Sequence, residues 1–123
     1  MSMSTNPFAI RIEHVLVDGV EVATDQEGYI QDMDAWSEGF ALAQAEKEGL
    51  ELTDEHWDVI RLLRSYYHEH AVQMEVRKMI KHFATAWGPE RGTNRHLHDL
   101  FPRGGPQKQG NRLAGIRKTK GEH

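Results

Sequence analysis

The sequence contains no cysteine. A chain without thiols forms no disulfide, offers no thiolate to a metal and has no cysteine nucleophile. Long apolar runs are also missing, whereas a helix that spans a bilayer needs about 20 consecutive apolar residues. Residues 1–7 lack the positive charge and apolar core of a secretory signal. The lack of a membrane span and of a secretory signal predicts a cytoplasmic protein that has no membrane partner.

The size and composition indicate one globular domain. The chain has 123 residues, of which 38% are hydrophobic and 28% are charged. We predict a disordered N-terminus over residues 1–8, a single domain over residues 9–102 and a C-terminal arm over residues 103–123, where glycine, lysine and arginine are frequent. The arm is expected to be mostly irregular, with one helical turn near residues 111–114.

The charge is distributed unevenly between the two parts of the chain. Residues 1–74 carry four Lys/Arg and fifteen Asp/Glu, and residues 75–123 carry eleven Lys/Arg and four Asp/Glu. This asymmetry has two explanations. The two parts attract each other within the fold or form solvated faces, or the basic part binds an anionic partner. We favour the first explanation, because charge excess without a motif is a weak functional signal.

The pattern of apolar residues predicts an α+β fold. Alternation around Asp18-Gly19 indicates a β-hairpin with a tight turn, and residues 28–31 are expected to add a third strand and complete a small β-meander. Ser37, Thr53 and Thr93 are placed as helix N-caps. The expected helices cover residues 38–48, a longer segment after Thr53, residues 74–87, and a short segment that ends at Phe101. The meander should pack against this helical array, with aromatic side chains in the core.

The sequence shows no arrangement of residues that is typical of an active site. His68 and His70, like His96 and His98, are two residues apart, and this spacing points side chains to different faces of a helix. Paired carboxylates occur mainly at helix starts, where capping explains them. Neither a glycine-rich phosphate loop nor a catalytic triad is recognisable. We therefore predict no catalytic residue, no metal, no cofactor and no enzymatic activity.

A helix-turn-helix-like pair is predicted around a break at residues 71–73. The second helix is basic, and its cations, together with one that follows later, could contact DNA phosphates. These candidate contacts are Arg77, Lys78, Lys81 and Arg95. An ordinary helical hairpin with a solvated basic face produces the same pattern and is favoured. DNA binding is therefore kept as an alternative function.

Several motifs together resemble one known family. They are Glu-Gly-Leu-Glu-Leu-Thr-Asp-Glu-His-Trp-Asp-Val-Ile-Arg over residues 48–61, Gly92-x-Asn94-Arg95, Leu100-Phe101-Pro102 and Ala114-Gly115. Over about residues 15–123 the chain resembles the DsrC/TusE family of small sulfur-relay proteins. The resemblance implies a β-meander against a helical array, with a flexible C-terminal arm. It also implies partners from the relay that thiolates tRNA uridine, or dissimilatory sulfite reductase.

The chain departs from this family where the family carries sulfur. Sulfur carriers of the family hold a thiol where this chain has Glu122, and some hold a second thiol where it has Asn111. A carboxylate forms neither a persulfide nor a disulfide. The resemblance therefore implies a sulfur-metabolism protein that acts by binding or regulating a partner. The other alternative is the ordinary carrier role, if the thiol was removed by engineering. The partner-binding candidates are Arg103, Arg112, Arg117, Lys118 and Lys120.

Overall fold

The fold is α+β, as predicted. The computed structural model describes residues 11–117. In this part of the chain an antiparallel hairpin of two strands is followed by five helices. The elements are β1 (Glu13–Val17), β2 (Val20–Thr24), α1 (Glu38–Lys47), α2 (Asp54–His70), α3 (Val76–Ala86), α4 (Asn94–Leu100) and α5 (Gly105–Leu113). The predicted disordered segment at residues 1–8 lies outside the described residues.

The hairpin forms where the alternation and the turn signal predict it. Asp18 and Gly19 both have positive φ angles, 50° and 81°, as the tight turn of a two-residue hairpin requires. Val15 faces Val22 across the ladder, and both are buried. The hairpin thus presents one apolar face to α1, where Phe40 completes a small core cluster.

The predicted third strand is wrong in extent. Instead of a strand over residues 28–31, the chain makes an isolated bridge between Thr24 and Ile30. The carboxylate of Asp25 accepts hydrogen bonds from the backbone N–H groups of Glu27 and Tyr29, at 2.9 and 3.0 Å. Asp25 thereby holds a compact turn, and the chain returns to β2 for a single bridge rather than for a ladder.

All three predicted helix caps are confirmed. The Ser37 hydroxyl accepts from the Phe40 N–H at 3.2 Å, and the Thr93 hydroxyl accepts from the His96 N–H at 3.1 Å. Thr53 forms a capping box with His56, whose Nδ1 accepts from the Thr53 N–H at 3.0 Å. The helices therefore begin within a residue or two of their predicted starts, because the capping signals are local.

A larger core lies between the helices. It contains the buried side chains of α2 and α3 together with the last residues of α5. Phe83 of α3 is buried and stacks on Trp87 with ring centroids 3.9 Å apart. Trp57, Tyr66 and Tyr67 are partly buried against the same core. The aromatic side chains are core residues, as predicted.

The prediction of an irregular arm is wrong for residues 105–113, which form helix α5. Gly110 lies so close to α2 that a Cβ atom there would come within 2.9 Å of Leu63 Cδ1. Leu113 and Ile116 are almost completely buried. Because the helix is stabilised by these tertiary contacts, its glycine-rich sequence gives little local sign of it. The described chain leaves the core after Ile116, rather than at Arg103.

None of the helices in residues 11–117 combines the length and the apolar character needed to cross a membrane. The cytoplasmic location stays a prediction.

Candidate functional site

A buried polar cluster holds α5 against α1. Arg112 contacts both carboxylate oxygens of Glu48, at 2.8 and 3.2 Å, and each side chain is 9% exposed. Gln109 and Gln44 donate two further hydrogen bonds to the same carboxylate, at 2.9 and 2.8 Å. Burial by itself lowers the pKa of Arg112, but the hydrogen bond and charge of Glu48 outweigh it and raise that pKa. The charges of Arg112 and Glu48 thus neutralise each other inside the protein.

The two predicted partner-binding arginines of this region have different environments. Arg112 lies in the interior, so its guanidinium is not presented to a partner. Arg103 is exposed, and its Nη1 donates to the Glu48 carbonyl at 3.1 Å. Both arginines line a polar cavity of about 180 Å³, together with Lys47 and Gly28. We therefore retain Arg103, but not Arg112, as a candidate contact.

Asn111 is also part of the interior. Its side chain is 1% exposed, and its Nδ2 donates to the Gln107 carbonyl one helical turn earlier. Its Oδ1 is buried and has no hydrogen-bond partner among the described residues. Asn111, where some family members are implied to hold a second thiol, thus lies on the core side of α5. Glu122 lies outside the described residues.

Three side chains hold the backbone where the chain leaves the core. Trp36 Nε1 donates to the Leu113 carbonyl at 2.8 Å, and Arg64 Nη1 donates to the Ala114 carbonyl at 2.7 Å. The Arg64 guanidinium lies 3.7 Å from the centre of the Trp36 ring, and burial lowers the pKa of Arg64. Gln73 Nε2 then donates to a carbonyl farther along, that of Arg117, at 3.1 Å.

This group of contacts, which we call the exit site, was partly missed from the sequence. Trp36 packs against the small core cluster that contains Phe40, but the sequence singled out neither Arg64 nor Gln73. The available signal was the position of Arg64 four residues after buried Ile60, which places a charge beside the apolar stripe of α2. Arg117 is exposed at this site, and Lys118 and Lys120 lie outside the described residues.

The four candidate DNA contacts lie on two different helices. Arg77, Lys78 and Lys81 are exposed on α3, and Arg95 is exposed on α4. Lys78 Nζ donates to the Tyr66 hydroxyl at 2.8 Å. The pair formed by α2 and α3 is present, with residues 71–75 between the helices, but this arrangement is equally that of an ordinary helical hairpin. Contact with DNA stays a prediction.

His56 has a structural role at the start of α2. His56 is buried, and its Nε2 lies 2.6 Å from the Leu100 carbonyl. Since a carbonyl only accepts, Nε2 carries the proton and Nδ1 accepts from Thr53. Burial lowers the pKa of His56. Across residues 11–117, no three His, Asp or Glu side chains are grouped so that they could hold a metal ion.

A second ion-pair network joins α2 to the segment around α4. Glu55 Oε1 lies 2.7 Å from Arg91 Nη2 and 2.9 Å from His96 Nε2. Partial burial raises the pKa of Glu55, but the hydrogen bonds from Arg91 and His96 outweigh it and lower that pKa. This network and the Glu48–Arg112 pair both join the acidic part of the chain to its basic part, as the favoured explanation of the charge asymmetry predicts.

The fold and the exit site define a small α+β protein in which helix α5 closes the core and the described chain reaches the surface at Arg117. A family model described as "DsrC like protein" matches residues 16–121, and the chain belongs to this family. The predicted family is thereby confirmed.

Curated relatives are similar over most of their length. A protein named Sulfurtransferase TusE from Salmonella choleraesuis is 42% identical over 104 residues, which cover 85% of this chain and 94% of the relative. The Sulfurtransferase TusE of Escherichia coli is 40% identical with the same coverage.

Solved structures give the same family. The NMR structure of DsrC from Allochromatium vinosum is 40% identical with a TM-score of 0.79, and the match covers 90% of this chain and 98% of that one. The crystal structure of the oxidized gamma-subunit of the dissimilatory sulfite reductase (DsrC) from Archaeoglobus fulgidus is 34% identical with a TM-score of 0.82. That match covers 89% of this chain and 98% of the other.

The prediction that the chain is not an enzyme is wrong. Its curated relatives are named sulfurtransferases, which is a class of group-transfer activity. The prediction rested on the lack of a triad, a phosphate loop or a recognisable metal site in the sequence. Sulfur transfer between thiols needs none of these, because the group moves by attack of one sulfur on another. The lack of an acid–base arrangement therefore does not exclude sulfur transfer.

Proposed function

We propose that this chain works in sulfur relay, as the component of a sulfurtransferase system that docks on its partners through the C-terminal segment. The main support is a family match over residues 16–121 with relatives named for sulfur transfer. The chain has no cysteine, so a persulfide in this system resides on a partner's thiol. Docking is then one contribution that the chain makes to transfer.

The exit site supports docking through the residues after Ile116. The backbone is held there up to Arg117, whose side chain is exposed. Lys118 and Lys120 follow in the sequence. This concentration of positive charge suits a partner cleft lined by acidic groups, and such pairs associate faster at low ionic strength. Arg103 is a second exposed cation beside the polar cavity.

The partners that we propose are sulfur-relay proteins of the kind served by the sulfurtransferase relatives, or a sulfite reductase. The relatives do not separate the two, because both the Escherichia coli sulfurtransferase and the Allochromatium vinosum DsrC are 40% identical to this chain. Binding to candidates of both kinds, purified from the native host, is therefore to be measured side by side.

The test places a thiol where the family carriers have theirs. In the Glu122→Cys variant, the new thiol should receive sulfur from a persulfide-bearing partner, and mass spectrometry would detect the added sulfur. Ser65→Cys, with a thiol on the exposed surface of α2, is the matched control for unspecific transfer. Sulfur on residue 122 but not on residue 65 supports docking through the segment. Equal labelling of both thiols, or no association with any candidate, contradicts the proposal.

A further inference from the structure

We propose that Trp36 and Arg64 are positioning residues that fix the direction in which the C-terminal segment leaves the protein. The proposal rests on the function proposed above, because it concerns the segment that docks. The two side chains come from different parts of the fold. Trp36 precedes α1 and Arg64 lies in the second half of α2.

The contacts of these side chains complete the end of α5. The last four carbonyls of a helix have no partner within the helix. Here the Asn111 carbonyl accepts from the Ile116 N–H at 2.9 Å, and the Arg112 carbonyl accepts from the Gly115 N–H at 3.3 Å. This pair of bonds is a Schellman motif. The carbonyls of the next two residues are the ones to which Trp36 and Arg64 donate.

The two donors also orient each other. The Arg64 guanidinium lies 3.7 Å from the centre of the Trp36 ring, which is the arrangement of a cation–π contact. A planar guanidinium can stack on the ring and donate within its own plane at the same time, which a lysine ammonium cannot do. Each side chain thereby restricts the rotamers of the other, and the two donors form a fixed pair.

The backbone beneath the pair has little freedom. Gly115 has a φ of 71°, and a Cβ atom there would come within 2.2 Å of Trp36 Cδ1. Ile116 is 2% exposed, and Gln73 holds the Arg117 carbonyl one residue later. The chain is thus held at five successive residues, 113–117, by contacts from three separate parts of the fold.

Solvent could satisfy the carbonyls at the end of a helix, so stability alone does not require this arrangement. A fixed exit has a consequence for binding. A segment that begins in the correct direction loses less conformational freedom when it docks, which strengthens the complex without adding contacts. We expect loss of the fixed direction to weaken docking by about tenfold, equivalent to immobilising one or two side chains.

The direct test is a distance measurement on the isolated chain. The protein has no native cysteine, so spin labels attach only at introduced thiols. Arg117→Cys and Asp99→Cys place labels at exposed sites. Asp99 precedes Leu100, whose carbonyl contacts His56 near the start of α2. The chain exits beside Gln73, just after the C-terminal end of α2. Because α2 has 17 residues, the labels are separated by about 20–25 Å, which double electron–electron resonance can measure.

Trp36→Phe should broaden the distance distribution, since it removes the indole N–H while keeping an aromatic ring. Trp87→Phe is the matched control, because it also removes an indole hydrogen bond, to Asp58 at 3.0 Å, but away from the exit. Arg64→Gln and Arg61→Gln form a second matched pair on α2. Broadening in the Trp36 or Arg64 variant and not in its control supports the proposal. Equal widths within each pair, or a broad distribution in the parent protein, overturn it.

The affinity for a sulfur-relay partner gives the functional readout. Trp36→Phe should weaken binding by about tenfold, whereas Trp87→Phe should not. Unchanged affinity despite a broadened distribution would overturn the positioning role. If the parent protein binds no sulfur-relay partner, the proposed function fails, while the distance widths still decide whether the two residues fix the exit.

Discussion

At the scale of the residue, the exit site depends on Gly115 because this glycine has no Cβ atom. Gly19 also has positive φ, but no atom lies within 4 Å of the place where its Cβ would be. Gly19→Ala should therefore show the backbone penalty alone, about 1–2 kcal/mol. Gly115→Ala should lose about 1–3 kcal/mol more, because its Cβ would overlap Trp36.

Urea denaturation of both variants measures this difference in the free energy of unfolding. Equal losses for Gly115→Ala and Gly19→Ala would mean that the indole does not lie over Gly115. In a Trp36→Ala background, Gly115→Ala should cost less stability than it does in the parent protein, because one side of the overlap is then absent.

His56 gives a prediction for acidic pH. Burial lowers its pKa below the ordinary histidine value of about 6.5, so the unfolded chain takes up a proton at a higher pH than the folded chain does. Stability from this group is complete above about pH 6.5 and is lost as the pH falls below it, towards the lowered folded-state pKa. Protonation also places a hydrogen on Nδ1, facing the Thr53 N–H that caps α2.

Thermal denaturation at a series of pH values tests this assignment. His56→Asn should flatten the fall in melting temperature between about pH 7 and about pH 5, and His68→Asn, at an exposed position of the same helix, should not. Parallel curves for the parent protein and for His56→Asn would contradict the role of His56.

At the scale of the element, α5 depends on a buried ion pair. Arg112→Met leaves the Glu48 carboxylate without its charged partner at a position where both side chains are 9% exposed. Breaking such a pair costs about 3–5 kcal/mol. Arg91→Met breaks the pair with Glu55, in which the arginine is 56% exposed, and should cost less than about 1 kcal/mol. Chemical denaturation compares them, and similar losses would show that α5 is not held by this pair.

The elements also show what the sequence can and cannot reveal. Caps and turns are local, so Ser37, Thr93 and Asp18-Gly19 predicted their elements correctly. Helix α5 is stabilised by distant partners, namely Glu48 on its polar side and Leu63 on its apolar side. Its glycines indicated an arm, because the close approach of Gly110 to α2 becomes visible only when the helices are packed. The exit site was partly missed for the same reason, since its donors are far apart in sequence.

At the scale of the whole molecule, the charge asymmetry is partly an internal feature. Glu48 and Glu55 from the acidic part of the chain pair with Arg112 and Arg91 from the basic part. The cations that remain exposed, including Arg103 and Arg117, are therefore the ones relevant to a partner. Truncation experiments must respect this organisation, because removing residues 103–123 would delete α5 and part of the core together with the segment.

The most direct test of the proposed function removes only the residues after Arg117. The affinity of this shortened chain for a sulfur-relay partner should be compared with that of the full chain by isothermal titration calorimetry, with the melting temperature as the control for folding. Docking through the segment predicts an unchanged melting temperature and a loss of affinity of at least about tenfold. Equal affinity of the shortened and full chains would contradict the account and place the partner surface on the helical body.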